Sequence, residues 1–204
     1  MSRLLLIRHG ETELNSSLRY WGRTDVALSE VGLSQAECLR ERLCPEKIDF
    51  IYSSRLKRAL VTAQAIASGH NLEVTACPEL REIDFGRLEG LTFDEIVRLY
   101  PDVARIWKER DPALVYPGGE SLTELDTRVQ QFRSRLEGHN EGETVLIVAH
   151  SGVLRTLLCQ LMGMEPRQRW QIRLDLASLT VIETYSQDAI LTLLNDVSHL
   201  KERR

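Results

Sequence analysis

The stretch Leu4-Leu5-Leu6-Ile7-Arg8-His9-Gly10-Glu11 decides the fold, because four apolar residues end abruptly in an arginine and a histidine. An unbroken apolar run bounded by charge is typical of a central strand that is covered on both faces. A second run, Val145-Leu146-Ile147-Val148-Ala149, ends in the same way with His150, Ser151 and Gly152. Two buried strands that are each followed by a histidine near their carboxyl end predict a polar site at one edge of an α/β sheet.

Composition limits the classes of partner. The chain has 204 residues, with 26 lysines and arginines against 30 acidic residues and a net charge of −4. This length suits one large domain, and we predict a single domain over residues 1–204. A mildly acidic chain lacks the concentrated basic face of a nucleic-acid binder, so we expect no nucleic-acid partner. Any anion site must then be built locally from a few arginines.

The cysteines and the first residues predict the compartment. Four cysteines lack the close spacing of a metal site, which predicts free thiols in a reducing environment: Cys38, Cys44, Cys77 and Cys159. The first strand begins almost at Met1, and no run approaches the ~18 apolar residues of a membrane span. We therefore expect a cytoplasmic protein with no membrane partner, no metal ion and no cofactor.

Strand-like and helical patterns alternate along the chain, which predicts a three-layer α/β/α sandwich around a mostly parallel sheet. Further strands are predicted at 50–52, 74–76, 179–185 and 190–194, with a turn at 186–188. Helices are predicted after Ser29 as N-cap and over 56–67, 123–136 and 153–162. Residues 81–120 are irregular, with short helical pieces at 93–99 and 103–108. We predict that this segment is an insertion over the C-terminal edge of the sheet.

The residues at that edge suit phosphoryl transfer through a phosphohistidine. A neutral imidazole such as that of His9 is a competent nucleophile near neutral pH. A phosphate dianion repels nucleophiles, and the planar fork of an arginine neutralises two oxygens at once, so Arg8 and Arg58 are the predicted clamp. His150 adds a donor, and Ser151 opens a helix whose first N–H groups favour an anion. Glu82 is the candidate that protonates the leaving oxygen and later activates water.

Each of these residues also has a structural interpretation. A histidine at a strand end often serves only as a hydrogen-bond donor within the fold, and Glu82 alone resembles any surface carboxylate. Asn15 suits a turn cap as well as a ligand, whereas Trp21, beside Gly22, suits a pocket wall. The remaining histidines stand in polar surroundings and are predicted to be exposed and without a role: His70, His139 and His199.

Several motifs occur in a fixed order along the whole chain: Arg8-His9-Gly10-Glu11-Thr12, Asn15, Gly22-Arg23-Thr24-Asp25, Ser54-Arg55-Leu56-Lys57-Arg58-Ala59, Leu80-Arg81-Glu82-Ile83-Asp84-Phe85-Gly86 and Val148-Ala149-His150-Ser151-Gly152. In this order they resemble the histidine phosphatase superfamily of phosphoglycerate mutase-like proteins. The resemblance implies that His9 is the nucleophile and Glu82 the proton donor. It also implies a set of residues that bind the phosphoryl group: Arg8, Asn15, Gly22, Arg58 and His150.

Departures from the family pattern narrow the implied activity. Cofactor-dependent mutases of the family carry a tyrosine where Phe85 stands and an Arg-Arg pair in the insertion, which is absent between Glu82 and Glu120. The resemblance therefore favours a metal-independent phosphatase of small-molecule phosphate esters over a mutase. Within that branch the chain resembles both the α-ribazole-5′-phosphate phosphatases of cobalamin biosynthesis and broad-specificity members.

Two further alternatives follow from the family. Trp21 replaces a small polar residue of many members, so either the Gly22 amide takes over that contact or the indole stacks on a flat substrate group. Some members bind phosphorylated ligands without turnover, although every expected catalytic side chain is present here. The oligomeric state, monomer or homodimer, stays open at this point.

Overall fold

A computed structural model describes residues 2–185 and 188–200, apart from the side chains of residues 16 and 17, and its centre is a six-stranded sheet. The strands are β1 (Ser2–Arg8), β2 (Phe50–Ser54), β3 (Val74–Cys77), β4 (Thr144–Ala149), β5 (Leu179–Thr184) and β6 (Ala189–Asp196). In the order β3-β2-β4-β1-β5-β6, all neighbours are parallel except β5, which runs antiparallel to β1 and β6. The predicted mostly parallel sheet is confirmed. Residues 186 and 187, predicted in the last turn, lie outside the described residues.

Strands β1 and β4 form the centre of the sheet, where both faces are covered. Leu5 and Ile7 are fully buried, as is the whole of β4 apart from Thr144 at its start. This explains the unbroken apolar runs in the sequence. The parallel register pairs Ile7 with Val148 and Arg8 with Ala149. Residues 9 and 150 therefore leave the sheet side by side.

Within the described residues, six α-helices accompany the sheet: α1 (Glu30–Leu43), α2 (Lys57–Ser68), α3 (Phe93–Leu99), α4 (Pro101–Glu109), α5 (Leu122–Leu136) and α6 (Ser151–Leu161). Because side chains alternate across a strand, Leu5 and Ile7 pack in one cluster with residues of α1 and α2. Leu4 and Leu6 pack in the other cluster with residues of α5 and α6. Helices thus cover both faces, and the three-layer α/β/α sandwich is confirmed.

Local signals set the beginnings of several helices. The Ser29 side chain accepts a hydrogen bond from the Gly32 amide and caps α1, as predicted. Ser121 and Glu124 form a capping box at α5, with the serine hydroxyl accepting from the Glu124 amide. Helix α6 begins at Ser151, so His150 is its N-cap residue and stands in extended conformation. The second histidine is therefore held at the junction between a strand and a helix.

The segment between β3 and α5 carries α3, α4 and an aromatic cluster. Phe85 lies parallel to Trp107, with ring centroids 5.9 Å apart, and meets the edge of Tyr116 at 5.0 Å. The first residues of this segment reach the carboxyl end of β4, where the Gly152 amide donates to Glu82 Oε2 at 3.2 Å. The segment thus contacts the same edge of the sheet that carries both histidines.

Four free thiols are present, of which only that of Cys44 is exposed. None of the helices within the described ranges combines the length and apolar character needed to span a lipid bilayer.

The expectation that His70, His139 and His199 are exposed is wrong. The His139 side chain is only 8% exposed and pairs with Glu143 and the Tyr52 hydroxyl, because it packs against β2. His70 and His199 are half-buried.

Candidate active site

The two histidines meet at the carboxyl edge of the sheet. Their ring centroids are 5.0 Å apart with an angle of 59° between the planes. His9 is 5% exposed and His150 is fully buried. Their proximity follows from the parallel pairing of β1 with β4, since each histidine is the first residue after its strand.

The hydrogen bonds of His9 define where its ring proton lies. Nδ1 is 2.7 Å from the carbonyl oxygen of Gly10, which can only accept, so Nδ1 carries the proton. Nε2 then holds a lone pair, and the Nε of Arg58 donates to it at 3.3 Å. In this tautomer Nε2 is the nitrogen available for nucleophilic attack.

Arg58 is oriented by backbone carbonyls. Its Nη1 donates to the Thr24 carbonyl at 2.8 Å and its Nη2 to the Gly22 carbonyl at 2.7 Å. These bonds and the bond to His9 occupy three of the five guanidinium N–H groups and leave two for a ligand. Glu89 fixes the segment that supplies the carbonyls, because its carboxylate accepts from the amides of Arg23 and Thr24 at 2.6 and 3.0 Å.

Arg8 supplies a second guanidinium next to the histidines. Its Nη1 donates to the Leu174 carbonyl at 2.7 Å. Its Nε is buried and has no hydrogen-bond partner among the described residues. A buried donor without a partner costs about 1–3 kcal/mol, and an acceptor oxygen of a bound anion would remove that cost.

His150 is held from the opposite side of the ring. Its Nε2 lies 2.8 Å from the Ser54 hydroxyl, at the end of β2. Its Nδ1 is buried and, like Arg8 Nε, unpartnered within the described residues. With the serine hydroxyl as donor to Nε2, Nδ1 carries the proton and can donate to a bound oxygen atom.

Both imidazoles are neutral in this environment. Burial is the main cause that lowers the pKa of His9 well below its ordinary value, and the positive charges of Arg58 and Arg8 lower it further. The pKa of His150 is lowered in the same direction, first by burial and then by Arg58, His9 and Arg8. A neutral His9 keeps the lone pair that a nucleophile needs.

Glu82 lies beside the histidines at the start of the segment between β3 and α5, and is 8% exposed. Its carboxylate accepts from the amides of Ile83 at 2.9 Å and Gly152 at 3.2 Å. A Cβ atom at position 152 would lie 2.6 Å from Glu82 Oε1, so only glycine allows this approach. Arg128 holds the backbone of this region, donating to the Glu82 carbonyl at 3.3 Å while it pairs with Glu120.

The remaining predicted residues occupy varied positions. Asn15 is exposed, and its carbonyl oxygen accepts from the Thr12 amide at 2.7 Å, which is the capping interpretation. Gly22 is buried, and its carbonyl accepts a hydrogen bond from Arg58. The six-membered ring of Trp21 lies over Gly90, where a Cβ would be 3.2 Å from Cη2. Ser151 is the half-buried first residue of α6.

Three residues around the site were not predicted from the sequence as site residues: Ser54, Glu89 and Arg155. Ser54 appeared there only as part of a motif, although its place at the end of β2 was a usable signal. Glu89 binds the backbone amides of Arg23 and Thr24, which are distant in the chain, and no sequence pattern predicts such a contact. Arg155, on α6, is electrostatically coupled to Glu82 and Arg8, and its Nε is buried without a partner in the described part of the chain. Three arginines thus lie around two neutral imidazoles, and their positive charge favours an anion.

Comparisons with known proteins point to one family. A family model for the histidine phosphatase superfamily (branch 1) matches residues 4–197. Phosphoserine phosphatase 1 of Hydrogenobacter thermophilus is 37% identical over 202 residues, covering 99% of this chain and 96% of that protein.

Two solved structures have the same fold. The α-ribazole phosphatase of Shigella flexneri superposes with a TM-score of 0.88 at 32% identity, covering 95% of this chain and 96% of that one. A mutant phosphoserine phosphatase of Entamoeba histolytica in complex with phosphoserine gives 0.87 at 32% identity, covering 98% and 100%. With its two histidines at one sheet edge and a family match over nearly its whole length, the chain belongs to the histidine phosphatase superfamily and is a phosphatase.

Proposed function

We propose that this phosphatase hydrolyses small phosphomonoesters without a metal ion, through a phosphohistidine at His9. The observation that carries the proposal is the environment of His9 Nε2. Nε2 holds a lone pair because Nδ1 donates to the Gly10 carbonyl. In the same site, Arg8 Nε and His150 Nδ1 are buried and have no hydrogen-bond partner among the described residues. An anion with several acceptor oxygens satisfies all of these groups at once.

The residues divide the reaction into two steps. In the first, His9 Nε2 forms a bond to phosphorus while the bond to the leaving oxygen breaks and Glu82 transfers a proton to that oxygen. In the second, water attacks phosphorus, Glu82 takes up a proton from it, and the P–N bond breaks to release phosphate. Arg8, Arg58 and His150 donate to the phosphoryl oxygens throughout, and this electrostatic stabilisation accounts for most of the acceleration.

Two substrates are the leading candidates. α-Ribazole 5′-phosphate is supported by the relatives of that name and by Trp21, whose indole could cover a flat ring. Phosphoserine is supported by the relative in Hydrogenobacter thermophilus. A mutase is less favoured, because Phe85 packs into the aromatic cluster and supplies no polar group for a phosphoglycerate.

A labelling experiment tests the mechanism. A phosphate ester carrying labelled phosphorus is mixed with the enzyme and quenched within one turnover. The wild type should trap acid-labile, base-stable label and the His9→Ala variant none, with turnover lost as well. The His70→Ala variant is the matched control, since that histidine lies after α2 and outside the site. Label of full intensity in His9→Ala, or loss of activity with a chelator, contradicts the proposal.

A panel of phosphate esters tests the substrate. Values of kcat/KM should be compared for α-ribazole 5′-phosphate, phosphoserine, 3-phosphoglycerate and a nucleoside monophosphate, at one pH and ionic strength. Preference for one ester by about tenfold or more, which is ~1.4 kcal/mol in the transition state, identifies the substrate class. Equal values across the panel support a broad-specificity phosphatase instead.

A further inference from the structure

The loop of residues 172–178, immediately before β5, contacts both Arg8 and His9. Arg8 Nη1 donates to the Leu174 carbonyl at 2.7 Å. The amide of Arg8 donates to the Ser178 carbonyl at 3.3 Å, and the Ala177 amide donates to the His9 carbonyl at 3.1 Å. The placement of Arg8 and His9 therefore depends on the conformation of this loop.

The loop is in a conformation that its own sequence does not favour. Ala177 has φ +54°, in the left-handed region that alanine rarely adopts, and it is fully buried. Such a residue persists only where surrounding contacts over-determine its conformation, and these positions concentrate at functional sites. Contacts from outside the loop must therefore maintain it.

Those contacts come from the last described residues of the chain. Asn195, at the end of β6, binds Asp175 twice: its Oδ1 accepts from the Asp175 amide at 2.6 Å, and its Nδ2 donates to the carboxylate at 2.9 Å. His199 Nε2 lies 3.0 Å from the Ala177 carbonyl, which can only accept, so Nε2 carries the proton. Asn195 is itself left-handed at φ +54°, a conformation that asparagine tolerates better than most residues.

We propose that Asn195 and His199 are positioning residues, which fix Arg8 and His9 for phosphoryl transfer by bracing the loop 172–178. His199 holds the Ala177 carbonyl, and the neighbouring Ala177 amide holds the His9 carbonyl. Asn195 holds Asp175, next to the Leu174 carbonyl that orients Arg8. The catalytic part of this inference rests on the proposed function, whereas the mechanical link does not.

Variants at position 199 separate bracing from simple packing. His199→Phe keeps an aromatic ring and loses the donor, whereas His199→Gln places an amide donor near the position of Nε2. Since a displacement of about 1 Å can cost about 10²-fold in rate, kcat for p-nitrophenyl phosphate should fall about 10- to 100-fold in His199→Phe and recover largely in His199→Gln. Asn195→Gly, which keeps the left-handed backbone, should lower kcat in the same direction. His70→Phe is the control and should keep wild-type kcat.

A second readout does not depend on catalysis. Hydrogen exchange of the Ala177 amide should accelerate in His199→Phe and stay slow in His199→Gln, at comparable Tm. If the enzyme proves to have no phosphohistidine, this exchange result still decides the mechanical link. Wild-type kcat and wild-type exchange in His199→Phe overturn the inference. So does an equal loss in His199→Phe and His199→Gln that follows the fall in Tm.

Discussion

The contact between Ser54 and His150 offers the sharpest test of how the site is assembled. Both residues are fully buried, and the hydroxyl is 2.8 Å from His150 Nε2. In the proposed reaction Nδ1 donates to a phosphoryl oxygen, which requires that Nε2 be unprotonated and accept from the serine. Ser54→Ala removes that donor and leaves the buried Nε2 unpaired; it also removes the acceptor of the Leu56 amide, a weaker contact of 3.3 Å.

The magnitude follows from the cost of an unpaired buried polar group. That cost is about 1–3 kcal/mol, which for a chain of this size lowers Tm by about 2–12 °C. The ring can then also place its proton on Nε2, where it no longer serves the phosphoryl group. If the same energy is lost from the transition state, kcat falls about 5- to 150-fold, since 1.36 kcal/mol corresponds to a factor of ten.

The assay compares Ser54→Ala with Ser53→Ala. Ser53 is equally buried, but its hydroxyl donates to the Ser54 carbonyl at 3.0 Å instead of to the histidine. Steady-state kcat for p-nitrophenyl phosphate and Tm are measured for both variants. We expect a drop in kcat for Ser54→Ala only. Wild-type kcat in Ser54→Ala, or the same loss in both variants, refutes the assignment of a tautomer-fixing role to Ser54.

Three further predictions concern the proton donor, pH and the substrate. Glu82→Gln should lower kcat far more for alkyl phosphates than for nitrophenyl phosphate, which needs no protonation of its leaving group; equal losses exclude the acid role. Because burial, Arg58 and Arg8 hold the pKa of His9 well below its ordinary 6.5, kcat/KM should persist at pH values below 6.5 instead of halving there. Over the same range Tm should fall, because the unfolded chain binds protons that the folded His9 does not, and His9→Ala should weaken that slope. Trp21→Ala should lower kcat/KM for α-ribazole 5′-phosphate more than for phosphoserine if the indole stacks, and equally if it does not.

Much of the fold was predictable because its signals are local. The buried run before Arg8 and the run before His150 are continuous, as strands covered on both faces require, and the structure places them as adjacent central strands. The Ser29 cap set the start of α1, and short helices were predicted at the observed positions in the segment between β3 and α5. These features depend on residues a few positions apart.

The exposure of single polar side chains was predicted less well. His139 and His199 stand among polar neighbours in the sequence, yet one packs against β2 and the other reaches the Ala177 carbonyl. Burial of an isolated polar residue is decided by what the fold brings against it, and the residues beside it in the chain carry no such information. For the same reason, the sequence did not predict the contact of Ser54 with His150 or that of Glu89 with the amides of Arg23 and Thr24.

By itself the sequence determined the layered fold, the sheet edge where the histidines emerge, and the residue types of an anion site. Hydrophobic periodicity predicts the strands and helices, and the motifs at the strand ends predict the edge and the residue types of the site. Only the tertiary structure decided which nitrogen of His9 keeps its lone pair and which groups hold His150, Arg58 and the loop before β5. Those outcomes are set by hydrogen bonds between residues far apart in the chain, such as the bond from Arg8 to the Leu174 carbonyl, which spans 166 positions. Pairings at such separations are created by folding and have no counterpart in local sequence.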